Sequence, residues 1–236
     1  GHDFRPNYRR IGTIRDFCPN VPILALSATA PPKVRADIIS LLRLRNPLVQ
    51  VCSARRKNLE YSIKRRSKNP LPEILNELKQ SRGASLIYVR TRKLVNTWTT
   101  LLKKSGIPAI PYHAGLDSEV RDNALSKFLC NPKPVLVATV AFGMGVDRGD
   151  VGLVVHLDLP PNPERYLQES GRAGRDGLPA KCLIFFSPGD RIRLGWAIRR
   201  SKSDSHQNSS CNENPVRNEL VQEQMRFMEE VAEGDR

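Results

Sequence analysis

The sequence predicts an α/β fold in which helices flank a parallel β-sheet. Short apolar or β-branched runs alternate with longer segments of helical periodicity over most of the 236 residues. The apolar runs are nearly continuous, which is typical of strands that are buried on both faces of a sheet. A chain of this length can hold one large domain or two small ones, with a sizeable core.

The predicted elements alternate along the chain as β-α-β units require. Asp117 or Ser118 is expected to cap one helix, because Arg121 and Leu125 follow at helical spacing. The expected strands are 23–26, 48–52, 85–89, 109–112, 135–139, 153–157 and 182–186. The expected helices are 33–44, 72–80, 92–105, 118–129 and 163–173.

A basic segment interrupts this alternation. Residues 55–68 contain seven Lys or Arg and one Glu, and Pro70 and Pro72 follow. We interpret the segment as a linker, although it is equally compatible with a solvated edge strand that has a charged face. The predicted organisation is a partial first domain at 1–54, a basic linker at 55–70, a second domain at 71–200, a polar loop at 201–215 and a helix at 216–236.

Charge and cysteine content narrow the class of protein. The net charge of +14 and the pI near 10.0 favour a polyanionic partner, with nucleic acid first and an anionic membrane surface second. The five cysteines lie far apart without a C-x-x-C pair, so neither a zinc site nor a disulfide framework is indicated. No apolar run approaches the roughly 20 residues of a membrane span, and the first residues, GHDFRPNYRR, do not resemble a signal peptide. We therefore expect an intracellular protein, in the nucleus of a eukaryote or in the cytoplasm and nucleoid of a bacterium.

The segment QESGRAGRDG, at 168–177, has the strongest chemical pattern. Arg172 and Arg175 lie three residues apart, so on a helix they would share a face. Two guanidinium groups placed in this way suit a phosphate during phosphoryl transfer, with Gly171 and Gly174 leaving room for the approach. The alternative is a basic helix end in which Glu169 and Asp176 neutralise the arginines.

Four further motifs follow predicted strands, where open α/β sheets place their ligands. Each has a purely structural alternative, namely a helix start, a structural turn, a core histidine or a capped turn. The motifs are SATAPP at 27–32, YVRTRK at 88–93, YHAGLD at 112–117 and VLVATVAFGMGVD at 135–147. Their order along the chain, together with QESGRAGRDG, resembles the later motifs of superfamily 2 helicases.

The resemblance is closest to the RecQ family of DNA helicases and covers roughly residues 1–200. The opening GHDFRPNYRRIG is similar to the aromatic-rich loop that follows the DEAH box in that family. RNA-directed DEAD-box relatives typically carry a His-Arg-x-Gly-Arg form of the last motif, where this chain has Gln168 and Glu169. The resemblance implies the end of one RecA-like domain followed by nearly all of a second, and an ATP-dependent helicase that moves 3′ to 5′.

The resemblance also implies roles for individual residues. Arg175 would be the arginine finger, Arg172 its companion near the γ-phosphate, and Gln168 the link between this motif and the cleft. Ser27 and Thr29 would couple hydrolysis to domain movement, and Gly145 and Asp147 would contact nucleotide and DNA. Single-stranded DNA would be sensed or contacted by His2, Phe4, Arg5, Arg90, His113 and Thr139.

Two motifs of the family do not occur in this sequence. It contains no G-x-x-x-x-G-K-[ST] and no DEAH, which in the family supply the lysine for the phosphates and the carboxylates for Mg²⁺. We therefore expect ATP and Mg²⁺ to be bound mostly by a preceding part of the protein, zinc by a module after the terminal helix, and no ATP hydrolysis by these 236 residues alone. The alternatives are a non-catalytic nucleic-acid-binding protein built on the same scaffold and an RNA helicase.

Overall fold

The structure, a computed structural model, describes residues 6–27, 30, 32–51, 56–142, 146–160, 163–187 and 189. The chain forms two compact units, Gly1–Arg56 and Lys57–Arg236. The boundary between the units lies within two residues of the expected end of the first domain at residue 54.

In the first unit, the described residues form three helices joined by irregular segments. A 3₁₀ helix at Pro6–Thr13 leads into a single turn of α-helix, α1, at Ile14–Phe17, and α2 follows at Pro32–Leu41. The predicted strands at 23–26 and 48–52 are wrong for the described residues 22–27 and 47–51, which form no strand. Leu24 and Leu48 are 81% and 94% exposed, so these apolar runs have neither the neighbouring strand nor the cover that a strand needs.

The second unit is a six-stranded sheet in which every neighbouring pair is parallel. The spatial order is β1-β6-β5-β2-β4-β3, so β2 lies inside the sheet between β5 and β4. The strands are β1 at Leu59–Arg65, β2 at Ala84–Tyr88, β3 at Ile110–Tyr112, β4 at Val135–Ala138, β5 at Val151–His156 and β6 at Ala180–Phe186.

Helices connect these strands and cover the sheet. They are α3 at Leu71–Gln80, α4 at Arg92–Lys104, α5 at Ser118–Cys130 and α6 at Pro163–Ser170. Side chains alternate between the faces of a strand, so β2 contributes Leu86 and Tyr88 to one core cluster and Ile87 to the other. The first cluster includes Phe128 of α5, and the second includes residues of α3 and α4. The two cores confirm the predicted parallel α/β architecture.

Two predicted boundaries need correction. The basic segment contains β1, which pairs along its whole length with β6, so the sheet begins at Leu59 and the alternative of a charged edge strand is the better description. Helix α6 ends at Ser170 instead of Ala173. Among the described helices, the longest of which has 13 residues, none is long and apolar enough to cross a membrane.

Candidate functional site

The two arginines lie in a series of turns after α6 and not on a helix. Residues 171–176 form consecutive turns, and Gly174 adopts a left-handed conformation with φ +52°. The backbone N–H of Gly174 donates to the carbonyl of Val151, which is the first residue of β5, over 2.8 Å. We call residues 171–177 the arginine turn. Arg172 and Arg175 both line a small cavity beside Phe128 and Phe142, so the turn still brings them together.

The two acids of the same motif do not neutralise these arginines. Glu169 is buried and binds Nε2 of His156 through Oε2 at 2.9 Å. Asp176 accepts two hydrogen bonds from Arg82, which comes from the turn before β2, at 2.7 and 2.9 Å. The alternative of a self-neutralised basic helix end is therefore wrong, because both acids have other partners.

Arg175 instead forms an ion pair with the loop that precedes β5. Its Nη1 donates to Oδ1 of Asp147 at 2.6 Å and to the carbonyl of Val146 at 3.3 Å. The side chains of Arg175 and Asp147 are 37% and 87% exposed. Within the described part of the chain, these contacts use only one of the two terminal nitrogens of the guanidinium, so Arg175 can still donate to an anion in solution.

Arg172 lies deeper, against the carboxyl end of β2. Its guanidinium opposes the rise in the pKa of Tyr88, which burial causes, so the cation and the phenol are close neighbours. The Tyr88 ring stacks on His156, with centroids 5.1 Å apart and planes at 18°. The Nε of Arg172 is buried and has no hydrogen-bond partner among the described residues. A buried donor of this kind is costly unless a ligand or water pairs with it.

The glycines of the motif serve the backbone. A Cβ on Gly174 would lie 2.6 Å from Nδ2 of Asn58 and 2.8 Å from the carbonyl of Leu178, and one on Gly171 would lie 2.7 Å from the carbonyl of Leu167. The prediction that these glycines clear the path of the arginines is therefore corrected. They allow a tight reversal that is packed against its own chain.

Arg148 fixes the loop that carries Asp147. Its Nε and Nη2 bind the two carboxylate oxygens of Asp150 at 2.5 and 2.9 Å, and the hydrogen bonds hold the pKa of Asp150 below its usual range. Its Nη1 donates to the carbonyls of Phe128 and Leu129 at the end of α5, and the guanidinium lies over the Phe128 ring. This loop is therefore attached to the core directly beside Asp147.

A second group of predicted residues follows the carboxyl ends of β2, β3 and β4. Arg90 is exposed, and its backbone N–H donates to the buried carboxylate of Asp158 at 3.0 Å. Thr91 caps α4 by accepting from the N–H of Leu94 at 3.2 Å. A charged side chain at a fixed helix start is well placed to meet a phosphate.

His113 and Thr139 have structural roles in this group. Nδ1 of His113 accepts from the N–H of Gly115 at 3.2 Å, and Oγ1 of Thr139 accepts from the N–H of Ala141 at 3.4 Å. Both side chains are buried. In the structure, His113 and Thr139 therefore stabilise two turns, which was the alternative interpretation for His113. Of Arg90, His113 and Thr139, only Arg90 has an exposed side chain.

Two of the remaining predicted residues lie in described segments. Ser27 is exposed and lies in the first unit, and Gln168 is exposed on α6. The predictions for His2, Phe4, Arg5, Thr29 and Gly145 lie outside the described residues. Within the described ranges, no group of three or more His, Cys, Asp or Glu side chains could hold a metal ion.

Sequence reasoning missed the residues that support the arginines. Tyr88, His156, Arg82 and Arg148 each bind or pack at this site, yet none of them was identified as part of it. Some of their partners are distant in the sequence: Glu169 is 13 residues from His156, and Asp176 is 94 residues from Arg82. The one available signal was the buried run VVHLDL, in which a histidine ends an otherwise apolar strand.

Comparison with known proteins identifies the same region. Residues 67–177 match the model of the helicase conserved C-terminal domain. The chain is 41% identical over 213 residues to the ATP-dependent helicase wrn-1 of Caenorhabditis elegans, which covers 86% of this chain and 20% of that protein. It is 40% identical over 191 residues to the ATP-dependent DNA helicase RecQ of Pasteurella multocida, which covers 80% of this chain and 30% of that protein. The chain thus spans less than a third of the length of these relatives.

Solved structures support the fold. Yeast Dbp5 bound to RNA and ADP BeF3 aligns with a TM-score of 0.62 and 25% identity. The alignment covers 81% of this chain and 52% of the Dbp5 chain. The DEAD-box protein SrmB of E. coli matches 62% of this chain and 87% of its own, with a TM-score of 0.52 and 25% identity. These neighbours establish the RecA-like architecture of a helicase C-terminal domain. The sequence matches show that the chain belongs to the RecQ family of superfamily 2 helicases.

Proposed function

We propose that this chain is the part of an ATP-dependent 3′ to 5′ DNA helicase of the RecQ type that supplies arginines to the ATP site and a basic edge to the DNA. In such a motor the γ-phosphoryl group of ATP is transferred to water, giving ADP and phosphate. The energy drives movement along one strand and the unwinding that recombination, repair and replication require.

One observation carries the proposal. Two arginines share a cavity after α6 while the acids next to them in the sequence are paired elsewhere, with His156 and with Arg82. A purely structural basic turn would use its own acids. Among the described residues, the carboxylate that pairs with the guanidinium of Arg175 is that of Asp147, which is exposed and lies in another loop. An incoming phosphate can compete for such an arginine because water already screens the ion pair.

The chemistry follows from the properties of guanidinium. Charge spreads over the equatorial oxygens of the transferring phosphoryl group in the transition state, and an arginine that reaches those oxygens stabilises it by roughly 10³–10⁵ in rate. Arg175 is more exposed than Arg172 and takes the role of the arginine finger. Arg172, with its buried Nε and its aromatic neighbour Tyr88, sets the inner wall of the site.

DNA binding would use the carboxyl edge of the sheet. Arg90 stands exposed at the start of α4, and the chain carries a net charge of +14. A motor that moves along a strand holds phosphates without reading the sequence, which requires positive charge and not a pattern of base contacts. The proposed substrate is single-stranded DNA and junctions of single-stranded with duplex DNA.

The bound groups and the compartment complete the proposal. ATP is bound with Mg²⁺, whose ligands come mostly from the preceding part of the protein, and the zinc of the family belongs to a module that follows residue 236. The protein acts where the chromosome is, in a nucleus or a nucleoid.

The test is the nucleic-acid dependence of ATP turnover by the intact protein, meaning the full product of the gene that encodes this chain. We expect single-stranded DNA to stimulate turnover far more than RNA of the same length, and a duplex with a 3′ single-stranded tail to be unwound. Stimulation by RNA alone would support the RNA helicase. Nucleic-acid binding without turnover would support the non-catalytic scaffold.

A further inference from the structure

A bidentate ion pair lies directly beside the finger arginine. Arg82 Nη1 and Nη2 donate to the two carboxylate oxygens of Asp176 at 2.7 and 2.9 Å, and Nε donates to the carbonyl of Pro179 at 2.8 Å. Asp176 is the residue after Arg175. None of the motifs that predicted the site includes Arg82.

The base of this arginine is itself fixed. Arg82 precedes Gly83, which has φ +56°, and the N–H of Ala84 donates to the carbonyl of Asp150 at 3.0 Å. A Cβ on Gly152 of β5 would lie 2.8 Å from Cγ of Arg82, so the arginine stem packs directly on the sheet. The guanidinium fork therefore leaves the sheet in one direction and reaches Asp176 with little freedom.

Asp176 also forms hydrogen bonds with two other segments near the arginines. Its backbone N–H donates to the carbonyl of Gly149 at 3.2 Å, in the loop that carries Asp147. Its Oδ1 also accepts from the N–H of Leu178 at 3.1 Å. The hydrogen bonds from Arg82 hold the pKa of Asp176 below its usual range, so the carboxylate is ionised at neutral pH.

Arg175 thus lies between two held residues. Gly174 is held by Val151 and by Nδ2 of Asn58, which donates to its carbonyl at 2.8 Å, and Asp176 is held by Arg82. We infer that Arg82 is a positioning residue for Arg175, fixing through Asp176 the backbone from which the finger reaches the γ-phosphate. The inference rests on the proposed function. Displacement of a catalytic group by about 1 Å can cost as much as 100-fold in rate, so loss of the fork should lower turnover more than binding of ATP.

The experiment measures DNA-stimulated ATP turnover of the intact protein over a range of ATP concentrations. Arg82→Gln and Asp176→Asn are each expected to lower kcat about tenfold with KM for ATP changed less than about twofold. The double variant should fall no further than either single variant, because both remove the same link. Arg82→Lys keeps the charge but not the fork, and should recover only part of the rate.

Lys64→Gln is the matched control. Lys64 also binds two carboxylates, Glu73 at 2.8 Å and Glu77 at 3.0 Å, and neither of these partners belongs to the arginine turn. We expect this variant to lower the melting temperature and leave kcat unchanged. An Arg82→Gln protein with kcat within twofold of the wild type, or a double variant that falls about 100-fold, would overturn the inference.

Two further outcomes are distinguishable. A wild-type protein without DNA-stimulated turnover contradicts the proposed function and the inference together, whereas normal wild-type turnover with unaffected Arg82 variants contradicts only the inference. Circular dichroism establishes that each variant is folded. If Arg82→Gln does not fold, Arg82→Lys provides the test. A folded Arg82→Lys protein with the kcat of the wild type would also overturn the inference.

Discussion

Three charged residues of the segment QESGRAGRDG have partners at least 13 residues away in the sequence. Arg175 pairs with Asp147, Glu169 with His156 and Asp176 with Arg82. Arg175 thus has an exposed ion pair, whereas Glu169 and Asp176 bind partners that are less exposed. The exposed pair has little value for stability and can be given up to a phosphate.

Gly174 provides a prediction at this scale. Gly174→Ala must place a Cβ 2.6 Å from Asn58 in a left-handed conformation, so we expect the free energy of unfolding to fall by about 2 kcal/mol or more. Gly106→Ala is the matched control, because Gly106 has φ +82° with nothing within 4 Å of its Cβ position. Denaturant titration of both variants measures the difference. An equal loss at the two positions would show that crowding at Gly174 is unimportant.

The sequence was sufficient to single out Arg172 and Arg175 as candidate site residues, but not to predict the side chains that surround them. Arg172, Arg175 and two glycines stand in one short motif, so spacing alone identified them. His156 and Tyr88 reach the same site only because β5 and β2 are neighbours in the sheet, and no local pattern encodes that adjacency. The glycines were assigned to ligand access because their contacts with Asn58 and Leu167 exist only in the folded chain.

At the scale of elements, β1 shows how a basic segment joins a sheet. It is an edge strand, where charged side chains can point to solvent and protect the edge from pairing with other chains. Lys64 of β1 and Lys181 of β6 both bind Glu77 of α3, at 3.0 Å each. Burial raises the pKa of Glu77, and the hydrogen bonds from Lys181 and Lys64 lower it by more. The pKa of Glu77 is therefore below its usual value.

The pH dependence of stability tests this link between α3 and the sheet. A carboxyl whose pKa is lower in the folded chain stabilises the fold above its unfolded pKa, and the contribution is lost as the pH falls through the folded value. We expect Glu77→Gln to lose about 1–2 kcal/mol at neutral pH, because two partly exposed lysines lose a partner. The difference from the wild type should shrink as the pH falls below 4.5, the ordinary value for this group.

Glu73→Gln is the matched control for this series. Glu73 is more exposed than Glu77 and binds Lys64 at 2.8 Å, so its loss should cost less. Urea titration at a series of pH values gives both curves. A Glu77→Gln difference that stays constant from neutral to acidic pH would contradict the account of the link.

The same elements show what periodicity can and cannot predict. The strands β2 to β6 were found because parallel strands buried on both faces must be apolar throughout, as in the run SLIYV around β2. β1 was assigned to a linker because its exposed edge tolerates charge, which is also the composition of a loop. The runs at 23–26 and 48–52 are equally apolar, but apolar composition does not supply the neighbour that a strand pairs with.

At the scale of the whole molecule, the second unit carries two groups of predicted site residues, the arginine turn and the residues that follow the ends of β2, β3 and β4. The arginine turn is bonded to the start of β5, whereas Arg90 follows the end of β2. The family resemblance assigned the arginines to the nucleotide and Arg90 to the DNA, and this assignment stays a prediction. The chain spans 20% of wrn-1 and 30% of the bacterial RecQ, so the proposed motor needs the rest of its protein.

The central claim is that Arg175 acts on the γ-phosphate of ATP. The most direct test is steady-state phosphate release by the intact protein at saturating single-stranded DNA, comparing the wild type with Arg175→Ala. We expect kcat to fall by roughly 10³-fold or more while ATP still binds, because the finger contributes in the transition state. An Arg175→Ala protein that hydrolyses ATP within a few-fold of the wild-type rate would contradict the account.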